Sequence, residues 1–479
     1  MAEENHQHHH RGPWGHLVRG MWRSPLGILG VVLTTVSATL MFLGLIVEVF
    51  GLTDNIYVPI LAFMILPGGL ITGLILIPLA AYLRRRQWYK YGIAKDHLQI
   101  NLSDHRHRRM VIWFTVLTVM FFSLLVVIGY EGYEFSDSPF FCGRVCHKVM
   151  APEYTVYQRS PHAKVACIEC HIGPGAQWFV RAKISGLRQV LAVMTNSYSR
   201  PIPAPVEHLR PARDTCEQCH WPDKFSGKKV KTFIHFTNDN QTTPEKVDIA
   251  LHIGGRNPVT GEFEGIHWHV SKNVKVRYLA IDKKRLHIAK VKITRPDGST
   301  DEFVKKDMKI PADINQSETG EDSGWRTMDC IDCHNRPTHT YDLPEDRVDF
   351  GLLSKKINPE IIGIREDSLA VLKADYNTRD EARAQMTNRL IELQTNRHGI
   401  DYVKRYDADL RKAGAYLLDA YLGNVWPNMN IKWGTYGSHI GHQRSDEGWG
   451  CWRCHDDEHA DAAGKTIPQN CDLCHDEPK

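Results

Sequence analysis

Hydrophobic and polar positions divide the chain near residue 130. Leu26 to Phe50 is almost wholly apolar, with Glu48 only at its end. Ile56 to Leu83 is apolar and carries Pro59, Pro67 and Pro78, and Met110 to Tyr130 is apolar and uncharged. At about 1.5 Å of rise per residue, each run can cross a hydrocarbon core of roughly 30 Å. The pattern therefore predicts three transmembrane helices. The segment before the first run carries Arg11, Arg19 and Arg23. The loop between the second and third carries Arg84, Arg85, Arg86, Lys90, Lys95, Arg106, Arg108 and Arg109, against Asp96 and Asp104. The loop between the first and second has no Lys or Arg. Basic loops stay on the cytoplasmic side, so the N-terminus is expected inside and everything after Tyr130 outside. The first run is too long and too far into the chain for a cleaved signal peptide, and reads as a retained anchor. The His-rich start (His6, His8, His9, His10) reads as a disordered tail.

Beyond Tyr130 the periodicity changes. Ala176 to Met194 has a helical pattern, and a Pro-rich extended stretch with Pro201, Pro203, Pro205 and Pro211 follows. From about Lys228 to Phe303 the period becomes two, as in Asn273-Val-Lys-Val-Arg-Tyr and around His287 to Ile293. Thr294-Arg-Pro-Asp-Gly-Ser-Thr300 lies between such runs and predicts a hairpin. Thr378-Arg-Asp-Glu381 is a capping box opening an amphipathic helix to about Asn396. A second helical run, Tyr402 to Leu422, stops at Gly423-Asn424, with Pro427 beyond. The expected organisation is a tail (1–25), a three-helix membrane part (26–130) with a basic loop (84–109), a segment 131–222, a small β-rich insertion (223–325) and a helical region (326–479). The fold class is mainly α, with little regular structure in much of the outer part.

A net charge of +4 over 479 residues is too mild to imply a nucleic-acid partner. The cysteines change the picture most. All twelve fall in six units: Cys142-x3-Cys146-His147, Cys167-x2-Cys170-His171, Cys216-x2-Cys219-His220, Cys330-x2-Cys333-His334, Cys451-x2-Cys454-His455 and Cys471-x2-Cys474-His475. C-x-x-C-H is the attachment site of c-type haem: two thiols form thioethers and the next residue puts an imidazole on the iron. Structural zinc sites also use paired cysteines, and an even cysteine count suits disulfides. Neither explains a histidine after all six pairs. Six covalent haems c are expected, with the first unit departing by one extra residue. Haem is attached on the periplasmic side, which agrees with the topology from charge and implies a bacterial inner membrane. The apolar runs contain no histidine. They therefore offer no ligands for a haem within the membrane.

Six irons need further axial ligands. Outside the motifs, twelve histidines follow Tyr130: His162, His208, His235, His252, His267, His269, His287, His339, His398, His439, His442 and His459. His162 precedes the second motif in Ser-Pro-His, and His339 and His459 closely follow His334 and His455. His442 precedes the fifth motif. His267 and His269 alternate with Trp268, so on a strand they would face one side and supply one ligand. These are the favoured candidates, each able to serve a neighbouring haem as readily as its own. Met150, three residues after His147, is the candidate thioether ligand, which would raise that haem's potential relative to a bis-His site.

Phe141-Cys-Gly-Arg-Val-Cys-His-Lys-Val-Met150, Ser160-Pro-His162 and Cys216-Glu-Gln-Cys-His220 resemble the NapC/NirT family of membrane-anchored quinol dehydrogenases, over about residues 110–222. The remainder, with Met328-Asp-Cys-Ile-Asp-Cys-His-Asn-Arg-Pro, resembles the larger inner-membrane cytochromes of metal-respiring bacteria, of the ImcH type. The first resemblance implies oxidation of menaquinol at the outer membrane boundary. Electrons would then pass to a periplasmic c-type cytochrome or reductase in anaerobic metal or oxyanion respiration, alone or within an oligomer or larger respiratory complex. It also implies an unusual Met ligation of the first haem, and a Lys and an acidic residue that touch the quinol. Lys183 falls at the Lys position. Gln189 falls near the acidic one, so this chain departs there. Two other expectations stay open: an electron-relay subunit with quinol handled elsewhere, and a terminal oxyanion reductase, against which the absence of a C-x-x-C-Lys motif speaks.

Overall fold

The computed structural model describes residues 24–49, 52, 58, 61–90, 102–173, 176–205, 211–221, 225–239, 242–256, 261, 263–315, 324–442 and 450–476. The chain divides into two compact units, Met1–Ala151 with Val190–Thr195, and Pro152–Gln189 with Asn196–Lys479.

The first unit is helical. It comprises α1 (Pro25–Val49), a π-helical turn (Leu61–Ile65) leading into α2 (Leu66–Lys90), and α3 (His105–Asp137). Among the described residues, Pro25–Val47 and Leu66–Arg84 are helices long and apolar enough to cross a membrane. α3 contains the third apolar run. The basic stretch Arg84–Lys90, expected in a loop, prolongs α2. The N-terminal arginines, the His-rich start, Pro59 and Lys95 lie outside the described residues.

α1 and α2 meet along small residues. Gly30, Ser37 and Gly44 recur every seventh position on α1, the repeat that keeps one seam facing a partner helix. Opposite them stand Gly73, Gly69 and Ala62. A Cβ on Gly44 would lie 2.6 Å from the Ala62 Cβ, one on Gly69 2.6 Å from Ser37 Oγ, and one on Gly73 2.8 Å from the Gly30 carbonyl oxygen. Small residues on both helices let the two backbones approach closely, and that approach makes the contact. The large apolar residues point away: Leu29, Val36, Leu43, Leu74 and Ile75 are exposed. Thr34 and Thr72 return their hydroxyls to the Gly30 and Gly68 carbonyls at 2.8 and 2.7 Å.

The second unit begins with α4 (Ala151–Arg159, whose first residue belongs to the first unit), α5 (Cys167–His171), α6 (Ala176–Met194, whose last turn belongs to the first unit) and α7 (Ala212–Cys216). The period-two region follows. β1 (Lys228–Phe236) pairs antiparallel with β2 (Pro244–His252), and β3 (Gly255–Arg256) pairs with β4 (Phe263–Glu264). Next come β5 (Lys275–Ala280), β6 (Ile288–Thr294), β7 (Thr300–Lys305), β8 (Trp325–Thr327) and β9 (His459–Ala460), in a five-stranded sheet ordered β8-β5-β6-β7-β9. The hairpin expected at Thr294–Thr300 joins β6 to β7, with those two residues paired. Val276, Tyr278, Ile288, Val291, Phe303 and Ile467 form the core beside this sheet.

After α8 (Cys330–Cys333) the chain forms a helical body of α9 (Pro344–Leu353), α10 (Ile364–Lys373), α11 (Arg379–His398), α12 (Ile400–Arg405) and α13 (Asp407–Asn424). The Thr378 hydroxyl accepts from the Glu381 N–H at 3.0 Å and caps α11, while the Glu381 carboxylate accepts from the Asn377 N–H at 2.8 Å. The helix expected over Tyr402–Leu422 is broken at Tyr406. Leu352, Ile361, Leu372, Met386, Leu390, Leu410 and Leu417 are fully buried together. More of the chain beyond Tyr130 is regular than expected, because 344–424 holds no cysteine and closes an apolar core of its own. Arg159 of α4 donates to the Gly423 carbonyl at 2.7 Å and ties this body to the motif-bearing segment.

Gly44→Leu is expected to overpack the α1–α2 seam at a cost of about 1–3 kcal/mol. It should lower the thermal midpoint followed by far-UV circular dichroism in detergent, whereas Leu43→Val on the exposed face should leave it unchanged.

Candidate haem sites

The motifs share one local device. In four of them the histidine N–H donates to the carbonyl of the first cysteine: His220 to Cys216 at 2.7 Å, His334 to Cys330 at 2.8 Å, His455 to Cys451 at 3.0 Å and His475 to Cys471 at 3.1 Å. Cys167–His171 is itself one helical turn, α5. The first motif has an additional residue, yet the His147 N–H still reaches the Cys142 carbonyl, at 2.8 Å. Phe141–Cys146 is a π-helical turn, the wider turn that takes up one more residue. The irregular spacing therefore closes as the regular ones do. The Cys146 side chain lies outside the described residues.

Five motif histidines each face a second histidine from another part of the chain. Ring centres are 6.2 Å apart for His171 and His339, and 6.0 Å for His220 and His162. They are 6.5 Å apart for His334 and His267, 5.9 Å for His455 and His269, and 6.4 Å for His475 and His442. Two imidazoles sharing a metal ion at a bond of about 2 Å have ring centres about 6 Å apart. The donor set thus fits an iron held by two histidines, with the two thiols of each motif close by in sequence for thioethers.

In six of these ten rings the second nitrogen is engaged by backbone. The Nδ1–H donates to the carbonyl of Pro337 from His162 at 3.2 Å, of Glu153 from His339 at 3.1 Å, of Ile253 from His267 at 3.0 Å and of Ile266 from His269 at 2.9 Å. His455 and His475 do the same with Pro468 and Asp476, both at 3.0 Å. A carbonyl can only accept, so the proton sits on Nδ1 and a neutral ring carries its lone pair on Nε2. Burial pushes the pKa of His269, His334, His339 and His442 down, which favours the neutral ring.

Two expectations need adjustment, the strand at His267–His269 and the ligand role of His459. His267 and His269 lie on a 3-10 turn (Ile266–Val270), not a strand. The turn is entered through Gly265 at φ +73°, where a Cβ would meet the His252 carbonyl oxygen at 2.6 Å. The two rings therefore face two different motif histidines. His442 precedes the fifth motif but faces the sixth. His459 is fully buried with both ring nitrogens hydrogen-bonded, to Asp456 at 2.9 Å and the Ile288 carbonyl at 3.0 Å. It joins β9 to β6 and faces none of the motif histidines.

Among the described residues His147 has no second histidine ring stacked near it. Met150 follows on a 3-10 turn, with its N–H on the His147 carbonyl at 2.7 Å. Burial lowers the pKa of His147. Gln189 is exposed on α6, its amide donating to Ser185 Oγ at 3.2 Å. Lys183 lies on the same helix, and its side chain falls outside the described residues.

Adjacent motifs touch. The Cys216 and Cys330 side chains meet, and Cys333 lies close enough to Cys451 and Cys454 to add to the rise that burial imposes on these thiols. Cys474 senses Cys451 likewise. Motifs three to six therefore follow one another in space as in sequence. Sequence reasoning missed what braces them. Asp332, inside the fourth motif and 2 % exposed, accepts from Tyr278 at 2.7 Å, Arg326 at 2.8 Å and Arg285 at 3.1 Å. Its backbone carbonyl accepts from Arg453 of the fifth motif at 2.7 Å. Beside His339, Glu153 accepts from Arg336 at 2.7 and 3.0 Å and from Tyr341 at 3.3 Å. The charge at an intervening motif position was a signal for Asp332; nothing in the spacing pointed to Glu153.

No family model matches this chain, and no solved structure does. It is similar to the cytochrome c-type protein ImcH of Geobacter sulfurreducens, 38% identical over 459 residues, which cover 95% of this chain and 88% of that protein.

Asp332→Ala would leave two guanidinium groups without their shared carboxylate. The expected loss is roughly 2–4 kcal/mol, a buried-pair cost discounted because Arg285 and Arg326 keep some contact with water; chemical denaturation would measure it. A second outcome concerns pH. Burial, with Arg453 nearby, pushes the His439 pKa down to about 4. The ring is neutral in the fold and binds a proton more readily when unfolded, where its pKa is about 6.5. Its contribution is therefore complete above that value and is lost as pH falls towards the folded pKa. His439→Gln should flatten the decline of stability across this window in denaturation curves taken at successive pH values.

Proposed function

We propose, from the premise that this chain belongs to the ImcH family of c-type cytochromes, that it is an inner-membrane menaquinol dehydrogenase delivering electrons through six haems c to a periplasmic acceptor. The observation that carries this is the set of five imidazole pairs at haem-ligating separation. Haem c, when bound, supplies reversible one-electron chemistry at low potential under bis-His ligation. The proposed axial pairs are His171 with His339, His220 with His162, His334 with His267, His455 with His269 and His475 with His442. His147 with Met150 is proposed for the first site, whose π-helical turn preserves the motif closure.

α3 is the proposed third span, carrying Val116, Val119, Val126 and Val127 exposed along its length. The basic segment at the end of α2 and the start of α3 would lie in the cytoplasm and the motif-bearing chain in the periplasm. Menaquinol would dock in the outer leaflet beside the Cys142 segment, giving up two electrons singly and releasing two protons outward. The Lys183 ammonium would orient a quinol oxygen and stabilise the negative charge that develops as its proton leaves. Gln189 could only hydrogen-bond. The C-terminal motif pair is the proposed exit to a periplasmic c-type cytochrome or reductase. Imidazole pairs leave no open position for a substrate, which argues against a terminal oxyanion reductase.

Intact mass and the pyridine haemochrome should give six haems per chain, and a mass fitting five would point to a failed Cys142/Cys146 site. Lys183→Leu should slow haem reduction by menaquinol at least tenfold with haem content and dithionite reduction unchanged, and Gln189→Leu should act less. A wild-type rate for Lys183→Leu would place quinol handling elsewhere and favour an electron-relay subunit. Reporter fusions at His97 and at the C-terminus should report opposite sides of the membrane.

A further inference from the structure

Trp452 occupies an intervening position of the fifth motif, Cys451-Trp-Arg-Cys454-His455, yet its ring lies against the sixth site. The indole and the His442 imidazole are stacked flat, with centres 4.4 Å apart and planes within 5°. On its other contact, His442 faces His475 at 6.4 Å with an interplanar angle of 38°. Trp452 is held from both flanks. The Cys451 N–H donates to the Gly441 carbonyl at 2.7 Å, which ties the motif to the residue before His442. Arg453 is buried, donating to the carbonyls of Gly450 at 2.8 Å, Arg285 at 2.9 Å and Asp332 at 2.7 Å.

We propose that Trp452 is the positioning residue that fixes the plane of the His442 imidazole, so that a residue of the fifth attachment loop sets the ligand geometry of the sixth haem. This rests on the ligand set proposed above, with His442 and His475 as the sixth pair. An axial imidazole is free to turn about its metal–nitrogen bond unless something holds its plane. Elsewhere in this unit the distal rings are held by Nδ1–H bonds to backbone carbonyls; for His442 the flat contact with the indole takes that part. Stacked aromatic rings favour near-parallel, offset contact, so turning the imidazole costs the stack. The angle between the two axial planes decides which iron d orbital holds the unpaired electron of a low-spin ferric haem. It therefore appears in the g-values of that haem's electron paramagnetic resonance spectrum. Ligand orientation is one of the means by which a protein tunes a metal site beyond the choice of ligands.

The experiment uses the full-length, haem-loaded protein in detergent. Trp452→Leu and Trp452→Met remove the flat face, and Trp452→Phe retains one. The aliphatic variants should keep six haems by pyridine haemochrome and stay low-spin. The g-values of one haem should shift while the other five do not, and Trp452→Phe should restore the wild-type spectrum. A general structural defect would instead broaden several signals or lose haem, and Phe would not reverse it selectively. His442→Ala serves as the control for the ligand set: one haem should turn high-spin. If it does, yet whichever aliphatic Trp452 variant retains six haems has wild-type g-values, the positioning role is wrong and the ligand set stands. If His442→Ala leaves all six haems low-spin, the ligand set itself is wrong and this proposal falls with it.

Discussion

The motif-bearing unit depends on bringing a neutral imidazole, from a distant segment, to within about one metal ion's breadth of a motif histidine. A buried ring that must offer a lone pair cannot carry a proton on the ligating nitrogen. The fold answers this with backbone. Carbonyls of Pro337, Glu153, Ile253 and Ile266 take the Nδ1–H of four distal rings. Each bond chooses the tautomer and turns the ring together. Most of the irregular chain can be understood as routes for these residues. The segment after the fourth motif turns back with His339 to face the second, and the segment before the second supplies His162 to the third.

The β-rich region takes its purpose from the same constraint. It holds no cysteine, but its 3-10 turn at Ile266–Val270 aims His267 and His269 at two consecutive motifs. A glycine at 265 lets the backbone pass close enough to the His252 carbonyl for that turn to form. The five-stranded sheet behind it is completed by β9, from beyond the fifth motif, and His459 fastens that strand with both ring nitrogens. Asp332 then joins the sheet and its arginines to the fourth attachment loop, and Arg453 joins the fourth loop to the fifth. Loops that are tied to one another hold their separations, and a chain of electron-carrying sites needs constant separations. The two long apolar helices, α1 and α2, obey a different rule: contact comes from small residues, and the Gly30–Ser37–Gly44 stripe provides it.

The sequence alone carried the cofactor class, because covalent attachment demands particular residues at fixed local spacing, and six Cys-Cys-His units stand in it. It also carried the apolar runs, the Thr294–Thr300 hairpin and the Thr378 cap, since each is a pattern within a few residues. Distal pairing was not legible, because it joins residues far apart in the chain. Nothing near His442 says that it faces His475 rather than His455. Nothing in His-Trp-His says that a 3-10 turn will send its two rings to different partners, where a strand would have aligned them. His459 looked as good a ligand as His339 by spacing, and only the packed sheet spends its nitrogens elsewhere. The irregular first motif shows the boundary between the two kinds of information. Its extra residue is visible in the sequence, but whether it breaks the site depended on the backbone, and a π-helical turn let His147 reach the Cys142 carbonyl as its counterparts do. Local covalent chemistry is written in adjacent letters; which imidazole completes each pair is decided by long-range packing, because only the folded chain sets the distance between segments.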